Sequence, residues 1–487
     1  MSMMRLLETL YIINITLLAL YGFNTLLLTW LYRRNKRTEP YEQPFSAETP
    51  PEAYPTVTVQ LPIYNERHVV NRLIEAAVQF DWPAERLQIQ ILDDSTDDTR
   101  EIIAAAVARY ADSGIVIEHL HRTDRSGYKA GALQAALGSA TGEFLAIFDA
   151  DFVPQPDFLK MLIPRFSAEN IGCVQARWGH LNADFSLLTR IQALGIDGHF
   201  IIQQMVRDQI GAFFNFNGTA GVWRRACIED AGGWEHDTLT EDLDLSYRAQ
   251  LRGWQLAYHA DLVVPGELPV QVESFKRQQF RWAKGSIQTA VKLLGTLWKS
   301  AEPLWRKLLG TFHLTNYAVH PLMLMNLILI LPMTQSPSPI LNVTLFLTFA
   351  TVGPLFMYFT ALQARQTNLW TGVRQLTALT ALGTGLSLNN SKAVFEAVFG
   401  VQSEFKRTPK FAVVKTANNW QKSSYRLPTN PIVWLETLIA IYAISLLIWN
   451  LTAGTWWLGI WLLLYACGYG YVSGLAFVQA RQARKKG

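Results

Sequence analysis

The sequence predicts an α/β globular part, built on a doubly wound parallel sheet and inserted between membrane-spanning helices. Three observations lead there. Short β-rich runs alternate with helical stretches from Val57 onward. Long uncharged apolar stretches stand toward both ends of the chain. Charged residues gather between them, although the 487 residues are 50% hydrophobic with a mean hydropathy of +0.10, too apolar for an ordinary soluble enzyme. The net charge of +4 is small and the basic residues stand beside apolar segments, so they read as topology signals and no nucleic-acid partner is expected. Cys173, Cys227 and Cys467 show no C-x-x-C spacing and point to neither a zinc site nor a disulfide framework, which is compatible with a reducing compartment.

Residues 1–55 form the first unit. Thr9 to Tyr32 carries no charge and, at roughly two dozen residues, is long enough to cross a hydrocarbon core about 30 Å thick. Arg33, Arg34, Lys36 and Arg37 follow it, the reverse of a cleaved signal peptide, and mark an uncleaved helix whose positive end is cytoplasmic. Pro40 to Pro55 is a linker. Residues 56–310 form the globular unit. Val57 to Leu61, Gln88 to Leu92, Ile115 to Leu120, Phe144 to Phe148 and Cys173 to Ala176 read as strands, with helices such as Glu66 to Phe80 and Asp98 to Tyr110 between them. No G-x-G-x-x-G follows the first strand, which disfavours a dinucleotide-binding dehydrogenase.

The strand ends carry the chemistry. In such sheets ligands bind beyond the carboxyl ends of the strands, and three polar clusters fall there: Tyr64, Asn65 and Glu66; Asp93, Asp94 and Ser95; Asp149 and Asp151. Two carboxylates one residue apart can reach a metal ion and a diphosphate, although any solvated loop could match D-x-D alone. Further on, Glu241 and Asp242 open the amphipathic segment Leu243 to Leu251, where acids also serve the helix dipole. Arg277 to Trp282 then combine guanidinium, amide and indole: either a basic helix on the membrane surface or a diphosphate clamp with an aromatic platform.

In order and spacing these motifs resemble the membrane-integrated family-2 glycosyltransferases, which have the glycosyltransferase-A fold. Their D, D-x-D, E-D and Q-x-x-R-W pattern is met by Asp93 or Asp94, by Asp149 and Asp151, by Glu241 and Asp242, and by Gln278, Arg281 and Trp282. The wording of QLPIYNER, ILDDSTDDT, GYKAGAL, IFDADF and QQFRW is similar to plant mannan synthases and xyloglucan-backbone glucan synthases, which are cellulose synthase-like proteins. The resemblance implies an inverting, metal-dependent hexosyltransferase that uses UDP-glucose or GDP-mannose. Asp151, with or without Asp149, would hold Mg²⁺ or Mn²⁺. Asp93 would contact the base or ribose, with Tyr64, Glu66 and Asp94 on the donor side; Lys129, Gln278 and Arg281 would face the phosphate oxygens. Asp242 beside Glu241 would be the general base. Trp282, Asn217 and Gly218 would meet the acceptor. Phe216 would join them or pack in the core. The acceptor is a growing β-glycan, translocated across the bilayer, or alternatively a single membrane lipid; the oligomeric state is open.

Residues 311–487 return to the membrane. Phe312 to Met333, Ile340 to Leu362, Val433 to Leu451 and Trp456 to Phe477 read as spans, with Pro332 and Pro337 to Pro339 in the turn between the first two. Leu376 to Val401 carries Asn389, Asn390, Lys392 and Glu396 and leads into a basic segment. Crossing would place that charge outside, so residues 376–401 are expected to lie at the interface or re-enter. The loop at 402–426 contains Phe405, Thr408 and Lys410 in a pattern similar to the F-x-V-T-x-K gating loop of cellulose synthase, with Arg407 in place of Val. The protein is expected to be an integral membrane protein with its globular unit cytosolic.

Overall fold

The computed structural model describes residues 3–35, 50–334, 345–414, 420–453 and 458–486. Lys36, Arg37, most of the Pro40 to Pro55 linker and the turn prolines Pro337 to Pro339 lie outside the described residues. Pro332, expected in that turn, belongs to a helix.

Seven strands make one sheet: β1 (Val57–Ile63), β2 (Leu87–Asp93), β3 (Val116–His121), β4 (Phe144–Ile147), β5 (Ile171–His180), β6 (Gly221–Arg224) and β7 (Gln255–Gly266), in the order β3-β2-β1-β4-β6-β5-β7. β1 runs parallel to β2 and β4, and β5 to β7, but β6 is antiparallel to both β4 and β5. The sheet is therefore mixed, which corrects the all-parallel expectation. β6 has four residues, too few to show an alternation, and β7 pairs through a register shift that breaks its periodicity.

Alternation along β1 and β2 shows why these residues choose a sheet. Val57, Val59, Leu61, Ile89 and Ile91 point to one face and join α2 (Val70–Val78) and α3 (Thr99–Arg109) in the main core. The intervening Thr58, Gln60, Gln88 and Gln90 point to the other. They are buried there, and cross-strand bonds satisfy them: Thr58 Oγ1 donates to Gln88 Oε1 at 2.7 Å and Gln60 Nε2 to Gln90 Oε1 at 3.1 Å. On that second face lies α4 (Tyr128–Ala136), with Leu133 against Leu145, Ile147 and Trp223.

The remaining helices of the globular unit are α5 (Phe158–Leu162), α6 (Leu187–Asp197), α7 (Met205–Gln209), α8 (Arg225–Asp230), α9 (Glu241–Leu251), α10 (Val272–Lys299) and α11 (Leu304–Leu314). With the N-terminal helix α1 left outside this count (Met3–Arg34), the C-terminal region adds α12 (Val319–Thr334), α13 (Leu345–Ala364), α14 (Leu369–Gly385), α15 (Ser387–Val398), α16 (Ile432–Thr452) and α17 (Gly459–Lys486). Among the described residues four helical stretches are long and apolar enough to cross a membrane: Met3–Arg34, Asn316–Met333, Ile432–Thr452 and Gly459–Arg484. Residues 376–401 are divided at Leu386, between α14 and α15.

Two ion pairs mount the globular unit on these helices. Lys276 on α10 lies 2.7 Å from Glu436 Oε1 on α16, both side chains almost fully enclosed, and Lys284 lies 2.8 Å from Glu396 Oε2 on α15.

Candidate active site

A cleft opens over the carboxyl ends of β1, β2 and β4. Asp149 and Asp151 follow β4 directly, and the Asp149 backbone N–H donates to Thr219 Oγ1 at 2.9 Å, fastening the D-x-D turn to the turn before β6. Lys129, in the first turn of α4, lies 2.5 Å from Asp149 Oδ1, donates to the Gly218 carbonyl at 2.7 Å, and stands 3.8 Å from Glu241 Oε1. One ammonium thus gathers three motifs that are distant in the chain. Burial opposes its charge, but Asp149 and Glu241 outweigh that and raise its pKa.

Glu241 and Asp242 form the first turn of α9, with no side-chain cap before them. Thr240 lies so close to α10 that a Cβ on Gly285 would sit 2.8 Å from its backbone nitrogen, so the glycine lets the E-D turn rest against the Q-x-x-R-W helix. Gly218 has a φ of +83°, and a Cβ there would sit 2.9 Å from Asp242 Oδ2; this turn approaches the carboxylate only as glycine. Burial, then the like charge of Glu241, pushes the Asp242 carboxyl up to about 7 against the pull of Lys129.

On the other side of the cleft, Asp94 receives Arg122 in a bidentate pair, Nε to Oδ1 at 2.8 Å and Nη2 to Oδ2 at 2.6 Å. Asp93 does not line the cleft. Successive side chains of a strand point to opposite faces, and Asp93 points inward, where it meets His119 Nε2 at 2.8 Å and accepts from the Ser95 N–H at 2.8 Å. Of the two acids, Asp94 is the one that lines the cleft. Tyr64 lies beneath Arg125, whose guanidinium carbon is 3.4 Å from the ring centroid. Glu66 faces Arg407 at 3.1 Å, and burial outweighs that partner and pushes its pKa up to about 8.

From α10, Gln278, Arg281 and Trp282 reach the same cleft, and the C-terminal loop covers it. Arg281 lies 4.5 Å over the Phe405 ring, which stacks on Tyr128 at 5.7 Å. Lys410 Nζ meets Asp151 Oδ2 at 2.6 Å and also donates to the Glu267 carbonyl. The Thr408 hydroxyl is buried with no hydrogen-bond partner among the described residues. Arg407, the departure from the gating pattern, has work of its own: it pairs with Glu66 and lies 4.1 Å over the Tyr425 ring. Phe216 stays out of the cleft. It is fully buried, edge-on to Trp223 at 5.8 Å, so it anchors the turn whose next residues, Asn217 and Gly218, face the cavity.

Asp242, Asn217, Gln278, Trp178 and Trp282 also line a second cavity of about 400 Å³, which continues between α6, α10, α12, α13 and α14 toward the membrane helices. Trp282 stands at the junction, 6.5 Å from Trp178. Neither Trp178 nor Arg125 stands out in the sequence as a site residue.

Residues 55–285 match the family model described as glycosyltransferase like family 2. This chain carries a glycosyltransferase family 2 domain. The domain region is 45% identical over 260 residues to glucomannan 4-beta-mannosyltransferase 2 of Arabidopsis thaliana, covering 52% of this chain and 49% of that protein. It is 43% identical over 263 residues to glucomannan 4-beta-mannosyltransferase 1 of Oryza sativa subsp. japonica, covering 53% and 50%. The chain thus spans about half the length of these curated relatives. Among solved structures, mannosyltransferase PcManGT from Pyrobaculum calidifontis, in complex with GDP-Man and Mn2+, superposes with a TM-score of 0.52 at 20% identity, over 81% of this chain and all of that one. That likeness is one of fold: the family 2 domain has a glycosyltransferase-A-like mixed sheet.

The D-x-D carboxylates of the family 2 domain fit a hard divalent cation in donor type and in placement. Both are oxygen donors at the cleft, each paired with an ammonium that a bound ion would displace or share, Lys129 at 2.5 Å and Lys410 at 2.6 Å. Elsewhere among the described residues, Glu235, Asp237 and Asp244 lie near enough together to share an ion, but Lys292 sits among them at 2.5, 2.7 and 2.9 Å. That cluster is a structural knot.

Proposed function

We propose that this protein is an inverting β-mannosyltransferase that moves mannose from GDP-mannose to the end of a growing β-glycan and passes the product into the membrane region. The observation that carries this reading is the continuity of the two cavities past Asp242: a cleft with acids and cations for a nucleotide diphosphate, then a chamber walled by Trp178, Trp282, Tyr317 and amides, surfaces suited to sugar rings. The names of the relatives and the GDP-Man held by the structural neighbour favour mannose over glucose.

In this reading Asp242 takes the proton of the acceptor hydroxyl as that oxygen attacks the anomeric carbon from the side opposite the diphosphate. A single displacement inverts the α-linked donor. Arg281, Gln278 and the loop cation Lys410 offer charge and hydrogen bonds to the departing diphosphate. Asp151 and Asp149 would hold Mg²⁺ or Mn²⁺, which supplies further neutralisation of that charge. The 405–411 loop excludes water, which would otherwise compete with the acceptor.

Membranes containing the protein, incubated with labelled GDP-mannose and, separately, UDP-glucose, test the reading. The expected product comes from GDP-mannose, is insoluble in ethanol and is digested by β-mannanase. Label that extracts entirely with lipid, or incorporation from UDP-glucose alone, would refute it.

A further inference from the structure

Between α6 and α7 the helix widens into a π turn, Gly198–Gln204. Such a turn takes in one residue more than an α turn and brings side chains five apart toward one face. Here those side chains are His199 and Gln204, and both reach Asn217, the residue on the wall between the two cavities.

The polarity of this network is fixed from a group that cannot flip. Gln204 Nε2 donates to the main-chain carbonyl of Asn215 at 2.8 Å and to Asn217 Oδ1 at 2.6 Å. Turning the Gln204 amide over would set oxygen against both acceptors. Asn217 therefore keeps Oδ1 toward Gln204 and Nδ2 toward His199 Nε2, 3.1 Å away. That nitrogen must accept, so the imidazole proton is on Nδ1, which donates to Gln203 Oε1 at 3.2 Å. Enclosure suits the neutral ring: burial pushes its pKa down to about 4. The chain of bonds ends on a membrane-region helix, where Gln203 Nε2 meets Met357 Sδ on α13 at 3.4 Å. One hydrogen of Asn217 Nδ2 is spent on His199. The other is left for the cavity.

We infer that His199 and Gln204 are positioning residues that hold the Asn217 amide as a hydrogen-bond donor to a hydroxyl or ring oxygen of the acceptor sugar beside Asp242. The inference rests on the glycan-acceptor reading above and adds to it which atom of the site reads the acceptor and what orients it. Neither residue lines the donor cleft itself; both act on the site through Asn217.

The test uses the purified full chain in lipid nanodiscs, GDP-mannose and manno-oligosaccharide acceptors, following both elongation and the slower hydrolysis of donor. His199→Phe, of similar bulk but unable to accept, should raise the acceptor KM on the order of tenfold, the worth of one hydrogen bond, with donor KM and hydrolysis unchanged. His199→Gln, which can still accept, should recover part of the loss. Gln204→Leu should mimic His199→Phe, and the double variant should lose little more than either, because all three break one network. An unchanged acceptor KM would overturn the inference, as would a fall in hydrolysis matching the fall in elongation, which would make His199 a prop for the fold. A wild-type protein that hydrolyses GDP-mannose but elongates no oligosaccharide would instead refute the glycan reading itself, and this inference with it.

Discussion

Asp242 is the residue whose surroundings most limit its chemistry. Its carboxyl, pushed up to about 7 by burial and by Glu241, is protonated below that pH and cannot accept the acceptor's proton there. Transfer should therefore rise with pH through about 7. Glu241→Gln removes the like charge, favours the ionised form and should move that limb to lower pH; a pH profile of kcat/KM that does not move would detach the limb from this pair. Asp242→Asn should abolish transfer while donor binding persists, because a base is needed only once the acceptor attacks. Turnover above a tenth of wild type, with donor affinity measured calorimetrically beside it, would exclude Asp242 as the base. At this scale the sequence was legible where a strand end fixed position, as for Asp149 and Asp151, which the structure has at the cleft; Lys129 was named only through the resemblance, since it opens a helix. It was not legible for Asp93 and Asp94. Both acids fit the motif, and only the strand's side-chain alternation decides which one lines the cleft. Phe216 was ambiguous for a related reason: an aromatic ring before a turn suits a core or a sugar equally well, and only its burial against Trp223 separates the two.

Among elements, α10 presents Gln278, Arg281 and Trp282 to the cleft within little more than one turn; the sequence showed the helix but left open whether it faced a ligand or the membrane surface. Trp282→Ala should lower polymer synthesis tenfold to a hundredfold, if stacking on a sugar is worth the roughly 1 to 3 kcal/mol of stacking on a base. Hydrolysis of donor by water should survive, since water needs no platform. Equal loss of both activities would show that the indole holds the fold or the diphosphate. The strands β6 and β7 escaped the sequence reading because their signals are long-range: β6 is defined by two neighbours that lie far from it in the chain, and β7 by a register shift against β5. The π turn is likewise invisible to a periodicity of 3.6.

For the whole molecule, the apolar stretches at both ends gave the outline. Arg33 and Arg34 close the first candidate span, and Arg481 and Arg484 stand near the end of the last. With these charges cytoplasmic and α13 crossing as a fifth span, as the sequence expects, tags placed before Met3 should report outside and tags after Lys486 inside. Glycosylation or protease protection of those tags measures it, and a cytoplasmic N-terminus would overturn the assigned orientation of α1. The division of residues 376–401 at Leu386 could not be foreseen from composition, because α14 and α15 are each individually regular and the break between them depends on what they pack against.

The two ion pairs of α10 could have a mechanical side. If the product is a growing polymer, as proposed, each addition moves it by one sugar, and the helix that carries Trp282 stands where that motion would load it. In that case Lys276, paired with Glu436 on α16, and Lys284, paired with Glu396 on α15, would pass the load to helices of the C-terminal region. Cutting one mooring leaves a lone enclosed charge, at a cost of about 3 to 5 kcal/mol. Lys276→Met should therefore lower the melting temperature markedly, whereas Lys276→Met with Glu436→Leu, which removes both charges of this pair, should regain part of the stability while α10 keeps only the Lys284–Glu396 tether. Synthesis of long chains, measured against the first addition, should then fall in the double variant; an undiminished chain length would mean that the helix bears no such load.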